Sequence, residues 1–138
     1  MKKISVQVID NTKKITPFID TKAVDIIVLE DETSAFVSVS KKFPDVIILG
    51  YNIRGNETVE YIALLNRVSP GSKIVLIADN ITEEEVMRSF LAGARGYLPA
   101  QGTDKYINKC IRVVDCGEAW ISRKLVGQFL EMLRDHVR

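Results

Sequence analysis

Four short runs of mostly Val and Ile punctuate the chain: Ile4–Ile9, Val24–Leu29, 46–49 and 74–77. A fifth and weaker run is Gly96-Tyr97-Leu98. Each is about as long as a strand. Each is nearly continuous in apolar residues, as a strand must be when both of its faces are covered. Strands of that kind belong to parallel sheets, and parallel neighbours need a crossover between them. The intervening segments are therefore expected to be helical and to pack on the sheet.

Their patterns agree. Residues 33–43 fit a short helix ended by Pro44. Val59, Ile62 and Ala63 mark one face of a second, which stops before Ser69-Pro70-Gly71. Thr82-Glu83-Glu84-Glu85 reads as a capping box, with Thr82 as N-cap and Glu85 reaching back. Val86, Phe90 and Ala94 are the expected buried stripe of that helix. Asp104 is expected to cap the next, where Ile107, Ile111 and Val114 share a face. Between the first two strands, Pro17 predicts a short, irregular helix over about 13–22. After Gly117 comes an amphipathic segment. Ser122 is placed to cap it, and Leu125, Val126, Phe129, Met132 and Leu133 form its apolar stripe. Repeated β-α alternation with short loops implies right-handed crossovers and an α/β fold with helices on both faces of a parallel sheet. The chain divides into an α/β domain at 1–118 and a C-terminal amphipathic helix at 119–138.

Totals limit the function classes. A length of 138 residues suits one domain, and a net charge of +1 gives no bulk pull toward nucleic acid. Lys105, Lys109, Arg112, Arg123, Lys124, Arg134 and Arg138 gather near the end, and are expected to be solvated helix faces. No direct nucleic-acid binding is expected. No apolar run approaches the ~20 residues of a membrane span. The start alternates like a strand rather than a signal peptide. Cys110 and Cys116 form no CxxC pair and read as reduced thiols, so a cytoplasmic protein is expected. His136, the single histidine, lies in the tail. No Ser-His-Asp set, P-loop or GxGxxG is present, so no catalytic residue is named and no enzyme is expected.

In an open α/β sheet, ligands bind beyond the carboxyl ends of the strands. The strands deliver, in order, Asp10-Asn11, Glu30-Asp31, Gly50-Tyr51-Asn52, Ala78-Asp79-Asn80 and Pro99-Ala100-Gln101. This order and the segments FPDVIILG, VSPGSKIVLIAD, FLAGARGYLPA and VVDCGEAWIS resemble the receiver domain of bacterial response regulators of the NarL/LuxR type. The resemblance runs along nearly the whole chain. It implies a flavodoxin-like three-layer fold with strand order 2-1-3-4-5, and a place in phosphorelay (two-component) signalling and transcription regulation.

Such a receiver holds a phosphoacceptor Asp after the third strand, an acidic Mg²⁺-binding pair after the first, a Ser or Thr after the fourth and a Lys after the fifth. The carboxylate attacks phosphorus, the metal offsets charge, and the hydroxyl and ammonium hold the product. Here the acceptor position is Gly50, the acidic pair is Asp10-Asn11, the hydroxyl position is Ala78 and the lysine position is Ala100. Asn52 lies two residues beyond Gly50, and Arg54 replaces the proline usual in that loop. The expectation is a degenerate pocket and a pseudo-receiver. No cofactor is expected, because Asp10 alone is a poor Mg²⁺ site. Asp10 and Asn11 are read first as turning the chain away from the strand. Arg54 is a candidate contact for an anionic ligand, or a partner of Glu57 or Asp10. Tyr97 matches the switch aromatic, and Ala78 leaves room for it to sit inward.

The tail GEAWISRKLVGQFLEMLRDHVR resembles the helix linking such a receiver to a helix-turn-helix DNA-binding domain. Two functions follow. One is a protein-interaction and dimerisation module of a regulator, using the segments 82–94 and 104–116. The other is a small-molecule sensor that uses the emptied pocket.

Overall fold

The computed structural model describes residues 2–137. Five strands are present: β1 (Ile4–Ile9), β2 (Val24–Leu29), β3 (Val46–Gly50), β4 (Lys73–Ala78) and β5 (Ala94–Pro99). Five helices accompany them: α1 (Glu32–Lys42), α2 (Thr58–Val68), α3 (Glu83–Ala92), α4 (Thr103–Asp115) and α5 (Arg123–Val137). The strands form one parallel sheet in the order β2-β1-β3-β4-β5, as the resemblance implies.

Because side chains alternate across a strand, β1, β3 and β4 feed two cores. Val8, Ile48 and Val75 meet Ile107, Cys110, Ile111 and Val114 of α4 on one face. Ile9, Ile47 and Leu49 meet Ala35, Val39, Tyr61, Ile62 and Leu65 of α1 and α2 on the other. α3 lies beside α2 and β5, and Ala92 at its end joins this second core. Complete burial of each large aliphatic side chain contributes roughly 1.5–3 kcal/mol.

One polar group breaks the pattern. Gln7 is buried in β1, and neither its Nε2 nor its Oε1 has a hydrogen-bond partner.

The first crossover departs from the expectation of a helix over 13–22. Only a single 3-10 turn, Thr16–Phe18, forms there. The cause is local. Pro17 lacks an N–H, and its ring would strike the carbonyl of residue 13 in a helix. Lys13 itself takes the left-handed conformation, with φ 63°. Ile15 and Ile19 plug the core in place of a helix face. Asn108 of α4 holds the segment by a pair of bonds. Its Oδ1 accepts from Asp20 N at 2.8 Å, and its Nδ2 donates to Phe18 O at 3.0 Å. Without a full helix above it, Val28 of β2 remains 45% exposed.

Three smaller expectations are corrected. Thr82 does cap α3, its Oγ1 accepting from Glu85 N, but the Glu85 carboxylate accepts from Tyr51 Oη at 2.9 Å instead of reaching back. Ala94 belongs to β5, because α3 ends at Ala92 and Gly93 turns the chain at φ 128°. Asp104 does not cap α4. Gly102 stands in the cap position, with no side-chain bond.

Ser122 caps α5 as expected, accepting from Leu125 N at 3.2 Å. Between α4 and α5 the connector runs along the free edge of β5. Trp120 N donates to Arg95 O and Tyr97 N donates to Trp120 O, both at 2.9 Å. Gly96 permits this approach, since a Cβ there would stand 3.2 Å from Trp120 Cβ. Arg138 of the basic cluster lies outside the described residues. No described helix is long and apolar enough to cross a membrane.

Candidate functional site

β1, β3 and β4 end together, and a cavity of ≈ 330 Å³ opens beyond their carboxyl ends. Asp10, Gly50, Asn52, Ala78 and Ala100 all line it, so the strand-end reading of the sequence assembles five residues in one place. Asn11 and Arg54 do not line it.

Asp10 is the buried charge of the site, 3% exposed. Its Oδ2 accepts from Thr12 N at 3.1 Å, Thr12 Oγ1 at 2.8 Å and Lys13 N at 3.2 Å. This is an Asx-type turn that closes the chain back on the strand end. The other oxygen, Oδ1, turns toward Gly50. A Cβ built on Gly50 would stand 2.7 Å from it, closer than real atoms approach. The Asp10 carboxylate therefore fills the volume that the first side-chain atom of residue 50 would need. The glycine is required for the space that it leaves, and its φ of −79° is one that any residue adopts.

The remaining wall includes residues that the strand-end reading did not single out. Thr12 and Lys14 come from the irregular β1–β2 segment and Thr103 from the start of α4, beside Gln101, which the fifth strand end had already supplied. The D-N-T sequence was the available signal, because a carboxylate followed two residues later by a hydroxyl marks an Asx turn. Tyr51 forms part of the rim, and its bond to Glu85 ties the β3 loop to α3. Burial, and then the bond to Glu85, raise the Tyr51 phenol above its usual range. Among the described residues, no group of three His, Cys, Asp or Glu side chains is placed to hold a metal ion.

Arg54 points elsewhere. Two short 3-10 turns, Tyr51–Ile53 and Gly55–Glu57, carry it toward α1. There it pairs with Glu32, lies 3.6 Å from Glu57 and stacks over Tyr61 at 5.4 Å from the ring centroid. The pairing with Glu57 is one of the readings set out above; the pairing with Asp10 does not form. Glu30 and Asp31 do not line the cavity either. Asp31 caps α1 by accepting from Ser34 N, and that bond holds its carboxyl below the usual range.

Tyr97 is half-buried and directs its hydroxyl to Ala78 O at 3.4 Å, so the ring folds toward the β4 end. Burial, and then the charge of Asp79, raise its phenol above the usual range. Through its backbone N–H the same residue holds Trp120.

No protein-family model matches this chain, and no curated protein matches it. Solved structures do. The isolated REC domain of RcsB from Salmonella enterica serovar Typhimurium, in the apo form, matches with a TM-score of 0.82 at 17% identity, over 94% of this chain and 99% of that one. A LuxR-family two-component response regulator from Aurantimonas sp. SI85-9A1 matches at 0.78 and 13% identity, over 99% and 100%. A LuxR-family DNA-binding response regulator from Silicibacter pomeroyi matches at 0.71 and 16% identity, over 88% and 98%. The chain shares the fold of response-regulator receiver domains.

Proposed function

We propose that this chain is a receiver-type regulatory module of the NarL/LuxR kind that has lost phosphotransfer and acts through protein association. One observation carries the proposal: β3 ends in Gly50, and the buried Asp10 carboxylate occupies the place of its missing side chain. A phosphoryl acceptor needs an oxygen nucleophile at that point. The hydroxyl and ammonium that would hold the product are also missing, at Ala78 and Ala100. Mg²⁺ fits these residues poorly. Asp10 Oδ2 is committed to three donors, Asn11 does not line the cavity, and magnesium requires several hard oxygens in octahedral array. We assign the chain no reaction of its own and no cofactor.

Its output would then depend on what α5 and the adjacent faces bind. Within a cytoplasmic transcription regulator, residues 1–118 form the receiver-like unit and 119–138 the linker helix toward a DNA-binding domain. The structural relative from Silicibacter pomeroyi is a DNA-binding response regulator, which supports that arrangement. The test is incubation with Mg²⁺ and acetyl phosphate, or with beryllofluoride, followed by intact mass and amide spectra. Unchanged mass and unshifted resonances near Gly50 are expected. A stoichiometric phosphoryl gain on an aspartate would return the chain to the class of working switches.

A second reading is supported by the cavity itself, which stays open and partly polar, with Thr12, Lys14, Asn52 and Gln101 around Asp10. It makes the pocket a small-molecule sensor. A ligand bound only by the native state raises stability by mass action, so a thermal-shift screen separates the readings.

A further inference from the structure

We propose that α5 is the self-association surface of this protein, pairing antiparallel with α5 of a second copy; the inference rests on the reading of the chain as an association module and names its partner and face. The helix carries two apolar stripes. Leu125, Phe129 and Met132 are half-buried, and Phe129 packs on Phe90 of α3 with ring centroids 6.0 Å apart. The second stripe is Val126, Leu130, Leu133 and Val137, exposed by 40, 52, 53 and 86%. Among the described residues, Phe90 of α3 packs on the first stripe, whereas the second stays exposed.

The second stripe is spaced four, three and four residues apart, the period with which two helices meet along a seam. It is also symmetric about a point between Leu130 and Leu133. A two-fold axis there sets Val126 against the partner's Val137 and Leu130 against the partner's Leu133, which is what an isologous pair requires. On the flanks of that seam Arg134 comes level with the partner's Gly127 and Phe129 with the partner's His136, so no like charges are set opposite each other. Opposed helix dipoles favour the same direction. Gly127 flanks the seam, and a Cβ there would touch nothing within 4 Å, so the backbones are free to approach. The surface continues past the helix. Leu91 of α3 is 73% exposed and lines, with Leu133, the groove between α3 and α5. A pair of 15-residue helices is a small interface, so the dimer is weak and dissociates on dilution.

The experiment is sedimentation velocity on the whole chain, from about 10 µM to about 1 mM, the range in which weak pairs form. It compares the unaltered protein with Leu130→Lys and with Val28→Lys, an exposed control on β2. Circular dichroism checks that each is folded. A concentration-dependent dimer, weakened at least tenfold by Leu130→Lys and unchanged by Val28→Lys, is expected. A dimer indifferent to Leu130→Lys overturns the surface and leaves the association reading standing. A chain monomeric throughout overturns the surface and removes self-association from the proposed function.

Discussion

Replacing Gly50 by alanine tests whether Asp10 fills the site. The new Cβ would stand 2.7 Å from Asp10 Oδ1, so the carboxylate must rotate away. Rotation stretches or breaks the bonds that Oδ2 accepts from Thr12 N, Thr12 Oγ1 and Lys13 N. A hydrogen bond to a charged group contributes roughly 1.5–3 kcal/mol net, and one or two would be lost. Against this, alanine gains about 0.5–1 kcal/mol over glycine within a strand. Gly50→Ala is therefore expected to destabilise the fold by about 1–4 kcal/mol. Asp10→Ala alone costs about 1–3 kcal/mol, because three partly buried donors lose their charged acceptor. In the Asp10→Ala background the obstacle is gone. The nearest remaining neighbour of the Cβ is then Ile9 O at 3.5 Å, an ordinary contact, and Gly50→Ala becomes neutral or slightly stabilising. The two substitutions must couple by about 1–4 kcal/mol. Urea unfolding of the four proteins at matched m-values measures this. Additivity within about 0.5 kcal/mol would mean that Asp10 and the Cβ do not compete, and the space-filling account of Gly50 fails.

Three further outcomes follow from the structure. Gln7→Met, which replaces a buried amide without partners by a side chain of similar size, should raise stability by about 1–3 kcal/mol in the same assay; a loss would mean that the amide has a partner. Asn108→Ala removes both bonds to the β1–β2 segment, should cost about 1–3 kcal/mol, and should speed amide exchange across residues 15–23 before the rest of the sheet. Burial pushes the Cys110 thiol from 9.0 up to about 12, and the Tyr51, Tyr61 and Tyr97 phenols lie above 10.0. The folded chain keeps these protons after the unfolded chain has released them, so this stability is complete below about pH 9 and is lost as pH climbs toward about 12. The urea midpoint should fall between pH 8 and pH 10.5, and a flat profile would count against the burial of these groups.

The inner strands β1, β3 and β4 were legible because a parallel sheet covers both of their faces, a signal carried within four to six residues, whereas the edge strands β2 and β5 keep exposed positions such as Asp25 and Arg95. The gathering of Asp10, Gly50, Ala78 and Ala100 was legible for the same reason: strand ends in such a sheet point to one place. What the sequence concealed depends on competition between partners. The Glu85 carboxylate had a local target in the cap of α3, but Tyr51, thirty-four residues away in the chain, claims it instead. Arg54 looked close to the pocket along the chain, yet two successive 3-10 turns rotate it to Glu32 and Tyr61. Pro17 signalled an irregular helix, and its effect was larger, because Asn108 and two buried isoleucines stabilise a non-helical path. That Asp10 fills the space above Gly50 is a fact of atoms a few ångströms apart, and no spacing in the sequence encodes it.

The connector at Trp120 bears on how the sheet avoids adding strands from other chains. The segments with the strongest tendency to stack between chains, VIILG and KIVLIA, lie in β3 and β4, inside the sheet order, where both sides are already paired. Only β2 and β5 present an edge. On β5, Trp120 takes up Arg95 O and Tyr97 N, the groups through which a foreign strand would add itself. On β2 the exposed carboxylate of Asp25 serves that purpose. A chain cut short after Gly117 would lose more than its last helix: it would bare a templating edge on β5, and fibrillar or amorphous association would then compete with folding.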